Sequence, residues 1–207
     1  MANHKNDILI EAKGLTKYFD VGKGKKLHAV DHVSFSIRRG ETLGLVGESG
    51  CGKSTVGNVV MQLLPPTAGE LYFNGKNIFS MSRAEKKALC MKMQIVFQDP
   101  YSSLNPKKVI RGILEEPYKI HKLARGRQLA ERLEELITRT GLEPYLLEKF
   151  PHEIDGGKRQ LVGITRALAL NPDFIVCDEP VSALDVSVQA TIINLLMDLQ
   201  KELGLSY

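Results

Sequence analysis

Residues 47–55 of this 207-residue chain are Gly47-Glu48-Ser49-Gly50-Cys51-Gly52-Lys53-Ser54-Thr55, and this stretch decides the fold. It has the spacing of a P-loop, in which backbone N–H groups and the start of a helix surround a polyphosphate. The apolar run Thr42–Val46 predicts a short buried strand before the loop, and Ser54 should open a helix after it. In such a loop, Lys53 reaches the β- and γ-phosphates and the Ser54 hydroxyl binds Mg²⁺. The alternative interpretation is a glycine-rich turn before a helix, without a ligand.

Composition and charge are those of an ordinary globular protein. Apolar residues make up 43% of the chain and charged residues 25%. A length of 207 residues fits one domain, or a domain with an inserted lobe. The formal charge of +4 is too small to indicate nucleic-acid binding, and Lys23, Lys25 and Lys26 predict a solvated loop. We therefore expect no nucleic-acid partner.

Cysteine spacing and hydropathy indicate the compartment. Cys51, Cys90 and Cys177 have no paired spacing that predicts a disulfide framework or a zinc site, so a reducing cytosol is expected. No stretch approaches the ~20 apolar residues of a membrane span, and Met1–Lys5 lacks the apolar core of a signal peptide. The expectation is a soluble chain on the cytoplasmic side of the cell membrane, attached to it through partners.

The rest of the chain alternates strand and helix patterns. Ile8–Phe19 and His28–Ile37 alternate apolar and polar residues and predict antiparallel strands around a loop. Further strands are predicted at Gly69–Phe73, Met93–Phe97 and Phe174–Cys177, and helices at Val56–Leu64, Ser82–Cys90, Gln128–Thr140, Gly156–Leu170 and Ser187–Leu203. From Asp99 to about Asp155 there is no strand pattern, which predicts a helical subdomain inserted into an α/β core.

Polar residues follow two of the predicted core strands. Gln98 follows Met93–Phe97, and Asp178 and Glu179 follow Phe174–Cys177. Ligands of parallel sheets bind beyond the carboxyl ends of the strands, so these side chains should face the phosphate loop. Asp178 would then assist Ser54 with Mg²⁺, and Glu179 would orient the attacking water. The alternative is a charged pair that only ends a strand.

Together these residues resemble the ATP-binding subunit of an ABC transporter over nearly the whole chain. Residues 47–55 resemble the Walker A segment, Gln98 the Q-loop glutamine, Phe174–Glu179 the Walker B segment with its catalytic glutamate, and Ser182–Asp185 the D-loop. Phe19, more than its neighbour Tyr18, lies where the family has its adenine-stacking aromatic, although an aromatic there could also belong to the core.

The resemblance implies the fold, the ligands and their residues. The fold is an α/β P-loop NTPase with a RecA-like parallel core, an N-terminal antiparallel β subdomain and an inserted helical subdomain. The core should span residues 1–98 and 160–207, and the helical subdomain residues 99–159. The ligands are ATP and Mg²⁺: Glu179 and Gln98 have catalytic roles, and Ser54, Gln98 and Asp178 surround the metal.

The resemblance extends to one branch of the family. Residues 97–106 and 184–190 resemble the oligopeptide, dipeptide and nickel importers, and residues 177–185 are similar to the second ATPase subunit of the pair. This implies a head-to-tail heterodimer with a second ABC ATPase subunit. It also implies two membrane permease subunits that contact the helical lobe, and indirectly an extracytoplasmic substrate-binding protein. Each ATP would lie between one subunit's P-loop and the other's signature segment.

The signature segment departs from the family pattern. Where the family has Leu-Ser-Gly-Gly-Gln, this chain has Ile154-Asp155-Gly156-Gly157-Lys158. An ionised Asp155 cannot donate a hydrogen bond to the partner's γ-phosphate, and it adds negative charge that Lys158 would partly offset. Alternatively, Asp155 turns away and serves only as a helix N-cap. If Asp155, Gly156 and Gly157 do face the partner's ATP, that site should bind ATP and turn it over slowly.

The end of the chain is a second departure. The family has a switch histidine on a strand that would begin after Tyr207, and His121 and His152 lie in the helical lobe. The resemblance therefore implies a C-terminally truncated chain that hydrolyses ATP poorly by itself. Two alternatives stay open: a regulatory or structural nucleotide-binding module with little turnover, and a soluble ABC ATPase without membrane partners.

Overall fold

Two long strands open the part of the chain that the computed structural model describes, residues 7–207. β1 (Ile8–Asp20) pairs antiparallel with β2 (Lys26–Arg38) on one side and with β3 (Ala68–Phe73) on the other, and β4 (Lys76–Asn77) completes a sheet of order β2-β1-β3-β4. The predicted antiparallel subdomain is confirmed. The sequence-based statement about Met1–Lys5 concerns residues outside the described range.

A second sheet is parallel and positions the polar residues. β5 (Met93–Val96) pairs with β6 (Phe174–Cys177), in register from Met93 opposite Phe174 to Val96 opposite Cys177. Ser206 adds a parallel bridge to Phe174 on the far side of β6. Because β5 and β6 run in the same direction and register, the residues that follow them emerge at the same edge of the sheet.

Seven helices surround these sheets within residues 7–207. They are α1 (Lys53–Val60), α2 (Arg83–Lys92), α3 (Pro100–Ser103), α4 (Ile110–Ile120), α5 (Gly126–Thr140), α6 (Gly156–Leu168) and α7 (Val186–Leu203), with 3₁₀ turns at Pro144–Glu148 and Pro151–Glu153. Ser82 and Glu85 form a capping box at the start of α2. None of the helices in this described part is both long and apolar enough to cross a bilayer.

The strand predicted at Thr42–Val46 is wrong. The segment has no strand conformation, and Leu43, Leu45 and Val46 are 40%, 49% and 94% exposed. A strand needs hydrogen-bonded neighbours. Among residues 7–207, the backbone ladder contacts of this segment are Leu43 N–H donating to the Tyr207 carbonyl (2.9 Å) and Tyr207 N–H donating to the Glu41 carbonyl (2.9 Å). The apolar run therefore lies open beside the phosphate loop.

The helix after the loop is shorter than predicted. Its pattern continues to Leu64, yet α1 ends at Val60, and the chain turns at Gln62 with φ +57°. The N–H groups of Leu63 and Leu64 both donate to the Asn58 carbonyl, which closes the end of the helix before Pro65 is reached. The other predicted helices and strands differ from the observed ones by a few residues at their ends.

Three apolar clusters form the interior of the described chain. One lies between the antiparallel sheet, α1 and α2; a second joins β6, α6 and α7; a third joins α4, α5 and the first 3₁₀ turn. The apolar face of α5 is buried, at Leu129, Leu133, Leu136 and Ile137. The division of the chain at residues 99 and 159 stays a prediction.

Candidate functional site

The phosphate loop has a backbone that only glycine can adopt at its tightest point. Gly52, the residue before α1, has φ +101°. A Cβ on Gly52 would lie 2.1 Å from the Ala29 carbonyl oxygen, so the loop packs directly against the backbone of β2. This contact fixes the start of α1 and hence the two functional residues that open it, Lys53 and Ser54.

The Lys53 ammonium lies folded across the loop. Its Nζ donates to the carbonyl oxygens of Gly47 (2.9 Å) and Glu48 (2.7 Å). An ammonium has three N–H donors and these two bonds use two, so one donor and the full positive charge remain for an anion. The position agrees with the predicted phosphate-binding role of Lys53.

Ser54 and Asp178 meet, as their predicted roles require. Ser54 is on α1 and Asp178 directly follows β6, and the Ser54 Oγ donates to the Asp178 Oδ1 at 2.8 Å. The Asp178 N–H donates to the Val96 carbonyl (2.9 Å), which continues the parallel ladder for one residue beyond β6 and fixes the carboxylate at the sheet edge. A hydroxyl and a carboxylate thus form one oxygen-rich wall.

Gln98 and Glu179 form a second contact at the same edge. The Gln98 Nε2 donates to the Glu179 Oε2 at 2.8 Å, so the amide orients one carboxylate oxygen. Glu179 has φ +45°, in the left-handed region that non-glycine residues rarely adopt. Left-handed backbone at a polar residue beside a cavity is typical of functional sites.

These residues surround one cavity of about 390 Å³. Its lining consists of Phe19, Leu27, His28, Ala29, Ser49, Gly50, Cys51, Gly52, Lys53, Ser54, Thr55, Gln98 and Glu179. The structure thus brings together most of the predicted nucleotide-contacting residues, with loop residues and Phe19 in the same lining. Gly47 and Glu48 contribute through Lys53, and Asp178 through Ser54.

The cavity lining distinguishes the two candidates for the adenine-stacking aromatic. Phe19 is on the wall, whereas Tyr18 stacks on His28 with ring centroids 3.8 Å apart and donates its hydroxyl to the Asp31 Oδ1 at 2.5 Å. Sequence reasoning missed Leu27 and His28 as lining residues. They lie opposite Phe19 and Tyr18 across the hairpin, and the loop's sequence did not define that register.

The altered signature segment is elsewhere, at the start of α6. None of residues 155–157, all in the described range, lines the cavity. The Asp155 Oδ1 accepts the Lys158 N–H at 2.8 Å, so the predicted N-cap is present, and this bond is the main cause that lowers the pKa of Asp155 and keeps it ionised. The Lys158 Nζ lies 3.5 Å from the Asp155 Oδ2 and donates to the Tyr145 hydroxyl at 3.1 Å.

Gly157 is required for packing inside this chain. A Cβ at Gly157 would lie 2.7 Å from the Val188 Cγ1 of α7. Gly157→Ala is expected to destabilise the chain by about 1–3 kcal/mol relative to Gly163→Ala, because both gain helix propensity but Gly163 has nothing within 4 Å of such a Cβ. Urea unfolding of the two variants measures the difference; equal midpoints would show that α7 yields without cost.

The fold and the site define a class of protein: a P-loop nucleotide-binding cassette with an antiparallel β subdomain and added helices. The family model described as "ABC transporter" matches residues 30–182. The chain therefore belongs to the ABC transporter family, and the predicted fold class is confirmed.

Individual relatives agree with this assignment. The chain is 46% identical over 214 residues to the oligopeptide transport ATP-binding protein AppF of Bacillus subtilis, covering 100% of this chain and 65% of AppF. It is 48% identical over 208 residues to the dipeptide transport ATP-binding protein DppF of Haemophilus influenzae, covering 98% of this chain and 64% of DppF. The chain thus spans less than two thirds of the length of these relatives.

A solved structure has the same fold. The dimeric structure of a post-hydrolysis state of the ATP-binding cassette MJ0796, bound to ADP and Pi, superposes with a TM-score of 0.85 at 30% identity. The match covers 96% of this chain and 85% of that one.

Proposed function

We propose that this chain is the ATP-binding and ATP-hydrolysing part of a subunit that powers an ABC-type peptide importer. The observation that carries the proposal is the pair of contacts, Ser54 to Asp178 and Gln98 to Glu179, that joins the phosphate loop and the ends of β5 and β6 around one cavity. The names of the relatives, which are oligopeptide and dipeptide transport proteins, support a peptide as the cargo.

The phosphate loop, residues 47–55, has the charge and the N–H donors that suit the phosphates of ATP. Lys53 supplies positive charge, the amides of residues 47–55 supply N–H donors, and Phe19 offers an aromatic face to the base. Within residues 7–207 no group of three or more His, Cys, Asp or Glu side chains could hold a metal, but Mg²⁺ needs only one or two carboxylates beside phosphate and water. Ser54, Gln98 and Asp178 fit it with oxygen donors, and Mg²⁺ would offset phosphate charge.

Glu179 is the proposed general base. Its carboxylate faces the cavity beside the loop, and the hydrogen bond from Gln98 to one of its oxygens leaves the other free to orient water and accept a proton. A module that only bound nucleotide would need neither this carboxylate nor its left-handed backbone.

The proposed assembly has two different ATPase subunits in a head-to-tail dimer. Asp155, Gly156 and Gly157 of this chain would face the ATP held by the partner's P-loop, and two membrane permease subunits would be driven by closure of the dimer. An extracytoplasmic substrate-binding protein would act through those permeases, and the ATPase pair would lie on the cytoplasmic face of the membrane. Nucleic acid has no part in this proposal.

The signature segment makes the two sites unequal. Replacing Asp155 with serine and Lys158 with glutamine is expected to raise ATP hydrolysis by the reconstituted heterodimer about twofold. The reason is that a restored hydroxyl donor without a repelling charge brings the slow site up to the rate of the other. Steady-state phosphate release measures the change.

Asp198→Ser is the control for this test, because Asp198 is an exposed aspartate on α7 far along the helix from the D-loop. An unchanged rate in the Asp155→Ser/Lys158→Gln complex would remove the idea of unequal sites. Asp155 would then be only the N-cap that the structure displays.

Two experiments separate the proposed function from its alternatives. Single-turnover hydrolysis of Mg-ATP by the full-length heterodimer distinguishes an ATPase from a regulatory or structural module. Co-purification with membrane permease subunits distinguishes an importer subunit from an ABC ATPase without membrane partners. The importer proposal requires both hydrolysis and co-purification.

A further inference from the structure

Two arginines of α6 hold α3 in place. The Arg159 guanidinium lies over the Tyr101 ring, 5.1 Å from its centroid, and the Arg159 Nε donates to the Pro151 carbonyl at 2.7 Å. Two turns further along α6, the Arg166 Nη1 donates to the Ser103 carbonyl at 2.5 Å. Residues seven apart lie on the same helix face, so one face of α6 contacts both Tyr101 and Ser103 of α3.

The helix α3 that these arginines contact follows Gln98 closely in the sequence. Asp99 is the one residue between Gln98 and α3, and its Oδ1 accepts the Tyr101 N–H at 2.9 Å as the N-cap of α3. Gln98 is therefore three residues from Tyr101, whose ring contacts Arg159. A shift of α3 on α6 moves Gln98 with it.

Gln98 depends on such support. Gln98 and Glu179 are both solvent-accessible, and the hydrogen bond between their side chains competes with water, so it contributes little to holding Gln98 in place. Yet a displacement of about 1 Å at a catalytic group can lower a rate 100-fold. The position of Gln98 has to come from the segment that follows it.

We infer that Arg159 is a positioning residue of the ATPase site: by holding Tyr101 it sets the position of Gln98. This inference rests on the proposed function. Arg159 lies one turn after Asp155 on α6, so the helix that carries the signature segment is also the helix that places this chain's own Gln98.

The first test measures how firmly α3 is held, and it requires neither nucleotide nor activity. Hydrogen exchange of the full chain is compared between the wild-type protein and Arg159→Ala. The amides of Tyr101, Ser103 and Leu104, which bond to Asp99 and Tyr101, should exchange about tenfold faster in the variant, while the amides of α5 remain unchanged. Unchanged exchange in α3 would overturn the inference whether or not the protein is an ATPase.

The second test uses the complete transporter complex. Arg159→Ala is expected to lower kcat about tenfold and to change the KM for ATP less than twofold, because the phosphate loop is untouched. The single variants Arg159→Lys and Tyr101→Phe should each retain most of the wild-type kcat, since each keeps a cation over an aromatic ring. Tyr101→Leu should behave like Arg159→Ala.

A double-mutant cycle with Gln98 separates positioning from a general structural role. In a Gln98→Ala background, Arg159→Ala should have no further effect on kcat, because the group that it positions is absent. An equal loss in both backgrounds would overturn the inference. Tyr72→Leu is the matched control, since it removes another cation–ring pair, Lys13 over Tyr72 at 4.8 Å, on the antiparallel sheet. A wild-type complex without hydrolysis would contradict the proposed function, and the exchange test would still decide the inference.

Discussion

Replacement of Glu179 with glutamine is expected to slow single-turnover ATP hydrolysis at this chain's own P-loop site in the full heterodimer about 1,000-fold. Glutamine has the size of glutamate and can still accept the hydrogen bond from Gln98, but it cannot accept a proton from water. Binding of Mg-ATP should stay within about twofold of the wild-type value, because the phosphate loop is unchanged. Quenched-flow measurement of phosphate formation gives the rate, and the remaining rate reports the partner's site.

A second carboxylate serves as the control for this substitution. Glu131→Gln on α5 removes an exposed glutamate that pairs with Arg127, remote from the cavity, and should leave hydrolysis unchanged. If this chain's own site retains more than a tenth of its wild-type rate in Glu179→Gln, another group is the base, and the site must be assigned again.

Lys53→Met is expected to weaken Mg-ATP binding about 100-fold. The side chain keeps most of its length but loses the charge and the N–H donors, and a hydrogen bond to a charged group contributes about 1.5–3 kcal/mol. It also loses the hydrogen bonds to the Gly47 and Glu48 carbonyls. Titration calorimetry with Mg-ATP measures the affinity.

The control here is Lys201→Met, an exposed lysine in the last turn of α7, which should bind ATP like the wild-type protein. The melting temperatures of both variants show whether the loop change unfolds the chain. Wild-type affinity in a folded Lys53→Met protein would contradict the assignment of residues 47–55 as the phosphate site.

Local signals carried most of the fold prediction. The Asn74-Gly75 turn, the Ser82–Glu85 capping box and the glycine after α7 each depend on residues that are close together in the sequence. The same is true of the site, because the positions of Gln98, Asp178 and Glu179 follow from where short apolar strands end.

What failed depends on partners distant in the sequence. The run Thr42–Val46 has the composition of a buried strand, but whether it becomes one depends on the hydrogen-bonded neighbours that it finds. The contacts of Lys158 with Tyr145 and of Arg159 with Tyr101 likewise join residues 13 and 58 positions apart, and no local pattern predicts them. Leu27 and His28 were missed for the same reason.

The left-handed backbone of Glu179 lowers the stability of the folded chain in exchange for a carboxylate at the cavity. A residue with a side chain costs about 1–3 kcal/mol in the left-handed conformation, and glycine would avoid that cost at φ +45°. Such a glycine would have no carboxylate to present to the cavity. Natural selection for a carboxylate at this position would therefore favour a less stable protein. A screen for thermostable variants that accepted Glu179→Gly would remove the proposed general base.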